Sequence, residues 1–350
     1  MRKYFLFITG FIIICIIFSC KQENNKRIEV KEFPESEELS GNIISNVKTQ
    51  HIRTLRIIDS ILVIVNSEGD YFFEYYNCNN FELTGKYGIK GKGPGEFLYP
   101  QLTGDFINKT LTETIIKVFD WNRKSISYVD LYKSINEKSY ICKSYNLIND
   151  LKNASGVIFS SDSLIGIIPD HLLSSRFIIY NSKNHSINHI PFIPELAKWD
   201  IHRENRYYLY ATGGHCVYKD QFFIAAPAGN GQLDFFDLTG NYLKTLHIRD
   251  NNYLKEAKYF KSVMEIDGFN VFYSDLQIVN EEIYALFSVI TIPDLKKITN
   301  SRIYLFDIEG NPKKEYILDK EIHRFAIDTI NQRFIGLLTN VGDLVSFSYE

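Results

Sequence analysis

Apolar residues along this chain fall in short runs, many of them alternating with polar residues, and the runs are separated by Asn, Asp, Ser and Gly. That is the pattern of strands and turns. Apolar spacing at i, i+3, i+4 and i+7 is not sustained beyond the N-terminal segment, apart from a short turn near residues 252–260. The spacing therefore predicts an all-β body. One element recurs, a polar pair followed by five mostly apolar residues: Asp59-Ser60 before Ile61–Val65, Asp162-Ser163 before Leu164–Ile168, Asp220-Gln221 before Phe222–Ala226, Glu281-Glu282 before Ile283–Phe287, and Gln332-Arg333 before Phe334–Leu338. The runs start 103, 58, 61 and 51 residues apart. Since the first interval is about twice the last, a further unit is expected between the first two, and Ile115–Trp121 occupies that place. The repeat count becomes six.

A second strand-like segment follows each run: Tyr71–Asn77, Ile116–Asn122, Arg176–Ser182, Gln232–Leu238, Arg302–Ile308 and Asp343–Tyr349. In five units another strand follows, twice after an Asp-x-x-Gly-Asn hairpin turn, from Asp237 and Asp307. The sixth unit reaches Glu350 without one. A propeller closes when one terminus completes the blade begun by the other, and the alternation Arg27–Phe33 is the strand expected to do so. At about 50 residues per unit, a six-bladed β-propeller accounts for the length, the repeat and the missing strand.

Arg2 and Lys3 precede an apolar stretch from Tyr4 to Phe18 that ends at Ser19, the order of parts of an export signal. The stretch is shorter than the roughly 20 residues of a spanning helix. Ile17-Phe18-Ser19-Cys20 resembles a bacterial lipobox, in which the cysteine thiol is acylated and becomes the mature N-terminus. The expected organisation is a signal peptide over 1–19, a lipidated tether over 20–26 and the propeller over 27–350. The segment from Lys21 to about Asn42 is mostly charged and polar, as a solvated tether would be. The expected location is the cell envelope, on the outer membrane, facing periplasm or cell surface; Glu23, Glu35, Glu37 and Glu38 are too scattered to read as a surface-export signal.

The most specific local motif is GIKGKGPGEFLYP, Gly88 to Pro100, with Gly91, Gly93, Pro94, Gly95, Glu96, Phe97 and Pro100 as its pattern. With the lipobox and the six units it resembles the six-bladed β-propeller lipoproteins of Bacteroidetes, the TolB-like group among them. It is also similar to the Gly-x-Gly-x-Phe-x-x-Pro linkers of NHL-repeat propellers, although the other inter-blade linkers depart from it. The resemblance implies export and binding. It implies no particular reaction. A phosphate cradle would need a strand-loop-helix context, and Pro94 removes an amide such a nest would use. Glycines that allow positive φ in a tight crossover, with Phe97 anchored between blades, are the structural reading.

Net charge is −3, with 39 basic residues interspersed among 42 acidic ones, so no basic field for nucleic acid is evident. Cys78, Cys142 and Cys216 remain after processing, with no CxxC, no metal-ligand spacing and no cofactor motif; buried free thiols are expected. The richest polar stretch runs from Trp199 to Tyr208 and on to His215. It lies where the linker from the third blade enters the inner strand of the fourth, at the mouth of the central channel. Asp200, His202, Arg203, Glu204, Arg206 and His215 could there hold an anionic or sugar-like ligand by charge-assisted bonds, with stacking from neighbouring aromatics. A metal held by His202, Glu204 and His215 lacks a fixed geometry, since 13 residues separate the histidines. Asp59, Asp162, Asp220 and Asn280 each precede a second-strand run and could form a ring of metal ligands, but turn chemistry explains the same positions. No catalytic constellation stands out. The expected function is a membrane-anchored, non-catalytic module binding a protein, peptide or glycan. A metal-dependent hydrolase or lyase at the channel, and a structural subunit of an envelope complex, are its rivals.

Overall fold

A computed structural model describes residues 27–47, 51–110, 113–137, 139–160, 163–167, 175–191, 215–218, 221–227, 231–248, 270–291, 301–339 and 342–350. The signal segment, Cys20, the tether and the turn anticipated near 252–260 lie outside them. Six sheets form a propeller. Blade 1 is β4–β7 (Ile52–Ile58, Ile61–Asn66, Tyr71–Asn77, Leu83–Ile89) and blade 2 is β8–β11 (Pro100–Thr110, Glu113–Asp120, Ser125–Asp130, Lys143–Asn146). Blade 3 is β12–β15 (Gly156–Phe159, Ser163–Ile167, Phe177–Asn181, Ile187–Ile190) and blade 4 is β16–β19 (His215–Tyr218, Phe222–Ala225, Gln232–Asp237, Tyr242–Ile248). Blade 5 is β20–β23 (Asn270–Val279, Glu282–Thr291, Arg302–Asp307, Pro312–Leu318), and blade 6 contains β24–β26 (Ile322–Asp328, Arg333–Leu338, Leu344–Ser348).

The recurring apolar run is in every case the second strand of a blade. It is continuous rather than alternating because neighbouring blades cover both its faces; all six residues of Ile61–Asn66 are buried. Six apolar clusters result, one between each consecutive pair of blades, and Leu55, Leu62, Ala326 and Ile335 join the last blade to the first. One assignment changes: Ile116–Asn122 continues the second strand of blade 2, and its third strand is Ser125–Asp130. A short helix, Leu131–Asn136, follows it, capped by the Asp130 side chain.

The expected role of Arg27–Phe33 is also corrected. β1 (Arg27–Val30) pairs in parallel with β19 as a fifth strand of blade 4. Phe33 stacks on Tyr304 of blade 5 at 4.7 Å, and β2 (Glu35–Leu39) pairs in parallel with β23 of the same blade. The strand that completes blade 6 is β3 (Gly41–Ile43), antiparallel to β26. The apolar members of 27–33 follow apolar surface: Val30 joins the cluster of Leu246 and Ile248 between blades 4 and 5. β3 needs no such pattern, because its main task is to pair backbone with an open edge. A cysteine disulfide is not formed by Cys78 or Cys142, which are free and buried.

The Gly88–Pro100 linker is held by blade 2. The amides of Leu98 and Tyr99 donate to Asp120 (2.7 and 3.2 Å), as do those of Asn122 and Arg123 (3.1 and 3.0 Å), while Arg123 Nη1 donates to the Gly93 and Glu96 carbonyls. Phe97 is fully buried against Phe73 and Tyr87 of blade 1. Positive φ occurs at Gly88 (+74°) and Gly95 (+75°), and not at Gly91 or Gly93. Glu96 folds back instead, accepting from the Gly93 amide at 2.7 Å.

Candidate functional site at the channel mouth

Each blade starts at its innermost strand, since the first strands of neighbouring blades contact one another around the axis. Each blade is an antiparallel meander whose fourth strand leads into the next first strand, so all first strands begin on one face, here called the linker face. The opposite, turn face carries the connections between first and second strands.

At the linker face three inner strands present a polar cluster. Arg56 of β4 reaches past blade 6 to form a two-pronged ion pair with Asp275 of β20, Nη2–Oδ1 2.8 Å and Nη1–Oδ2 3.0 Å. Arg56 Nη1 also donates to the Phe325 carbonyl of blade 6 at 3.4 Å, so the pair ties the inner strands of blades 1, 5 and 6 together. Asp275 is buried, and it also accepts from the amides of Leu276 (3.0 Å) and Phe325 (3.4 Å). Arg324 Nη1 donates to the carbonyls of Ser274 and His323 at 2.6 and 2.7 Å. Arg53 Nη1 donates to the Pro100 carbonyl at 3.1 Å, and its guanidinium lies 3.6 Å from the centre of the Tyr99 ring. Among the described residues neither Arg53 nor Arg324 pairs with a carboxylate. Among the described residues three buried polar atoms of the same strands, Tyr273 OH, Ser274 Oγ and His323 Nδ1, have no hydrogen-bond partner.

The backbone explains why these side chains reach the channel. The ladder slips between Ile52 and Thr54, between Ile322 and Arg324, and between Tyr273 and Asp275, leaving Arg53, His323 and Ser274 as the residues without a register partner. A bulge of this kind bends a strand and re-aims its side chains. Burial holds the guanidiniums of Arg53 and Arg324 below their ordinary range; for Arg53, Tyr99 and Asp120 oppose this and Arg324 adds to it, and for Arg324, Asp275 opposes it and Arg56 adds to it. Burial, and then Arg324, push the His323 imidazole down to about 4.

Of the residues expected at this mouth, Asp200, His202, Arg203, Glu204 and Arg206 lie outside the described residues. His215 opens β16, the inner strand of blade 4, so its position is at the same end of the channel as Arg53 and Arg324. Of the conceived ring of acids, Asp59 and Asn280 stand in turn-face connections with φ of +55° and +51°, and Asp162 and Asp220 lie outside the described residues. Asp59 accepts instead from Thr114 and Tyr132. Among the described residues no three His, Cys, Asp or Glu side chains are grouped to hold a metal. A concavity of about 510 Å³ opens on the flank of blade 2, but both its acids, Asp130 and Glu113, are engaged by Lys133, at 3.1 and 4.0 Å. Arg53, Arg56, Asp275 and Arg324 form no motif in the sequence, because they are spread over three strands distant along the chain. The available signal was charge inside strands that otherwise read as core, IRTLRII and IHRFAID.

The sequence matches the family model described as TolB-like 6-blade propeller-like over residues 47–329. No curated protein matches it in sequence. Among solved structures, a member of the DUF4221 family from Bacteroides vulgatus superposes with a TM-score of 0.58 at 9% identity, covering 91% of this chain and 98% of that one. A protein from Bacteroides fragilis described as exported superposes with a TM-score of 0.53 at 11% identity, covering 92% and 98%. These likenesses are of fold.

Proposed function

Because the chain belongs to the TolB-like 6-blade propeller-like family, we propose that it is an exported envelope protein, anchored by lipid on Cys20, whose propeller binds a protein, peptide or glycan at the linker-face mouth of its channel. The observation that carries this reading is the polar cluster drawn from blades 1, 5 and 6, with Arg53 and Arg324 free of carboxylate partners among the described residues. Fold alone would not select a binding site, since propellers serve many functions. Buried charge arranged at strand bulges is a costly arrangement for stability alone. It marks a place where ligand contacts offset that cost.

Two measurements test the reading. Cys20→Ser is expected to move the protein from the membrane fraction to the soluble one, since acyl chains supply the anchoring; retention after a high-salt wash would refute the anchor. For binding, Trp121 is a built-in reporter: it stands on the linker face beside Tyr99 (5.9 Å), which in turn stacks under Arg53. Titrating the soluble body with fractionated envelope peptides and glycans is expected to shift tryptophan emission saturably, and Trp121→Phe to diminish that response. No response to any fraction would remove the proposed site.

A further inference from the structure

The composition of the cluster narrows what the mouth can hold, on the reading that the mouth is a binding site. Arg53, Arg56 and Arg324 contribute three positive charges against the carboxylates of Asp275, in the cluster, and Asp120, which acts on Arg53 without a direct ion pair. Asp275 is committed to Arg56 through both oxygens. Arg53 and Arg324 each have one guanidinium nitrogen tied to backbone carbonyls, Pro100 for the first, Ser274 and His323 for the second. Their remaining donors have no partner among the described residues. Carbonyl tethers fix the plane of each guanidinium without neutralising it, which leaves two oriented forks and an excess of positive charge. The hydroxyl of Ser274 and the Nδ1 of His323, both buried and without a partner among the described residues, lie on the same strands. A bare cation pair in a partly buried channel is unfavourable unless an anion offsets it.

We propose that the linker-face mouth is an oxyanion seat, in which Arg53 and Arg324 together clamp a doubly charged oxyanionic group of the ligand while the Arg56–Asp275 pair fixes the floor. Tyr99 holds the Arg53 fork from beneath by stacking. The β-bulges at Arg53, Ser274 and His323 are the backbone device that turns these groups into the channel. The matching chemistry is a phosphate monoester or a dicarboxylate, which present two negative charges over several oxygens.

The test is calorimetric titration of the soluble body with inorganic phosphate and, separately, with succinate, at low ionic strength. Saturable binding of phosphate alone supports a phosphate ester as the ligand group, and binding of succinate alone supports a dicarboxylate. Arg324→Gln and Arg53→Gln are each expected to weaken that binding at least tenfold. Arg53→Lys, which keeps the charge and removes the fork, is expected to weaken it by a smaller factor. Since Arg324 is the more buried of the two, a melting curve accompanies each variant, and Arg53→Gln decides the matter if Arg324→Gln fails to fold. Absence of saturable binding of both anions, or binding that is unchanged in folded Arg53→Gln, overturns the seat. An emission response to envelope fractions that phosphate and succinate do not compete away would leave the binding site standing without the oxyanion seat. Anion binding with no response to any fraction would do the reverse.

Discussion

Gly95 and Lys92 sit three residues apart in one linker and answer to different physics. A Cβ at Gly95 would stand 3.2 Å from the Tyr140 carbonyl and 3.3 Å from the Tyr87 hydroxyl, on a backbone with φ of +75°. A β-branched residue there resists that conformation at a cost of about 1–3 kcal/mol. Lys92 is exposed and makes no ion pair among the described residues. Gly95→Val is therefore expected to lower the melting temperature clearly and Lys92→Glu to leave it unchanged; equal melting temperatures for the two variants would contradict the strained-crossover account. His323 supplies a pH dependence. Its imidazole is held at about 4 when folded, by burial and then Arg324, against an ordinary 6.5. As pH falls from 6.5 towards 4 the unfolded chain takes up this proton and the folded one does not, so stability declines across that window. His323→Asn is expected to flatten the fall of melting temperature between those values, and a variant with the same slope as wild type would show that other groups set it.

Strands and turns show how consecutive blades are locked together. In the Asp-x-x-Gly-Asn hairpins, Asp237 accepts from Thr239 and Asn241 and Asp307 from Asn311, and Gly240 and Gly310 take positive φ. The absence of a side chain lets each turn rest on the preceding blade: a Cβ at Gly240 would come within 2.3 Å of Ile190, and one at Gly310 within 2.7 Å of Leu246. Blades 3 and 4 share a further lock. Arg176, ahead of β14, places Nη2 2.8 Å from Asp234 Oδ2 on β18, and both are almost wholly buried. Asp234 also accepts from Gln232 at 2.8 Å and Thr245 at 2.6 Å. Removing one partner of such a buried pair leaves the other charge without its counter-ion, and Asp234→Ala is expected to destabilise by about 3–5 kcal/mol. Chemical denaturation measures this; a loss below 1 kcal/mol would mean that water or neighbouring groups rescue Arg176.

Across the whole molecule, the N-terminal segment acts as a belt over the outer edges of blades 4, 5 and 6, and its three strands differ in what they do. β1 and β2 add fifth strands to blades already complete, whereas β3 supplies the fourth strand of blade 6. Gly41 is needed in that strand because a Cβ there would lie 2.5 Å from Val345 and 2.6 Å from Phe347. Truncation before residue 34 is expected to lower the melting temperature modestly with a single cooperative transition. Truncation before residue 44 is expected to lower it far more, because the ring then opens at its joint. Calorimetry of the two truncations distinguishes the belt from the closure strand, and a larger effect from the shorter truncation would reverse their roles.

Blade number, the second strands and the hairpin turns were legible in the residues because each depends on local chemistry: continuous apolar runs where both faces are covered, and Asp, Gly and Asn where the backbone must turn. Phe97 as an anchor was legible for the same reason. Which N-terminal strand closes the ring was not, since backbone pairing needs no side-chain pattern and Gly41–Ile43 carries none. The arginine cluster was hidden more deeply: Arg56 and Asp275 are 219 residues apart. A single charge within a strand has no local meaning, and only the circular arrangement of inner strands, with bulges that turn Arg53, Ser274 and His323 out of register, brings these groups to one mouth and makes their charges act together.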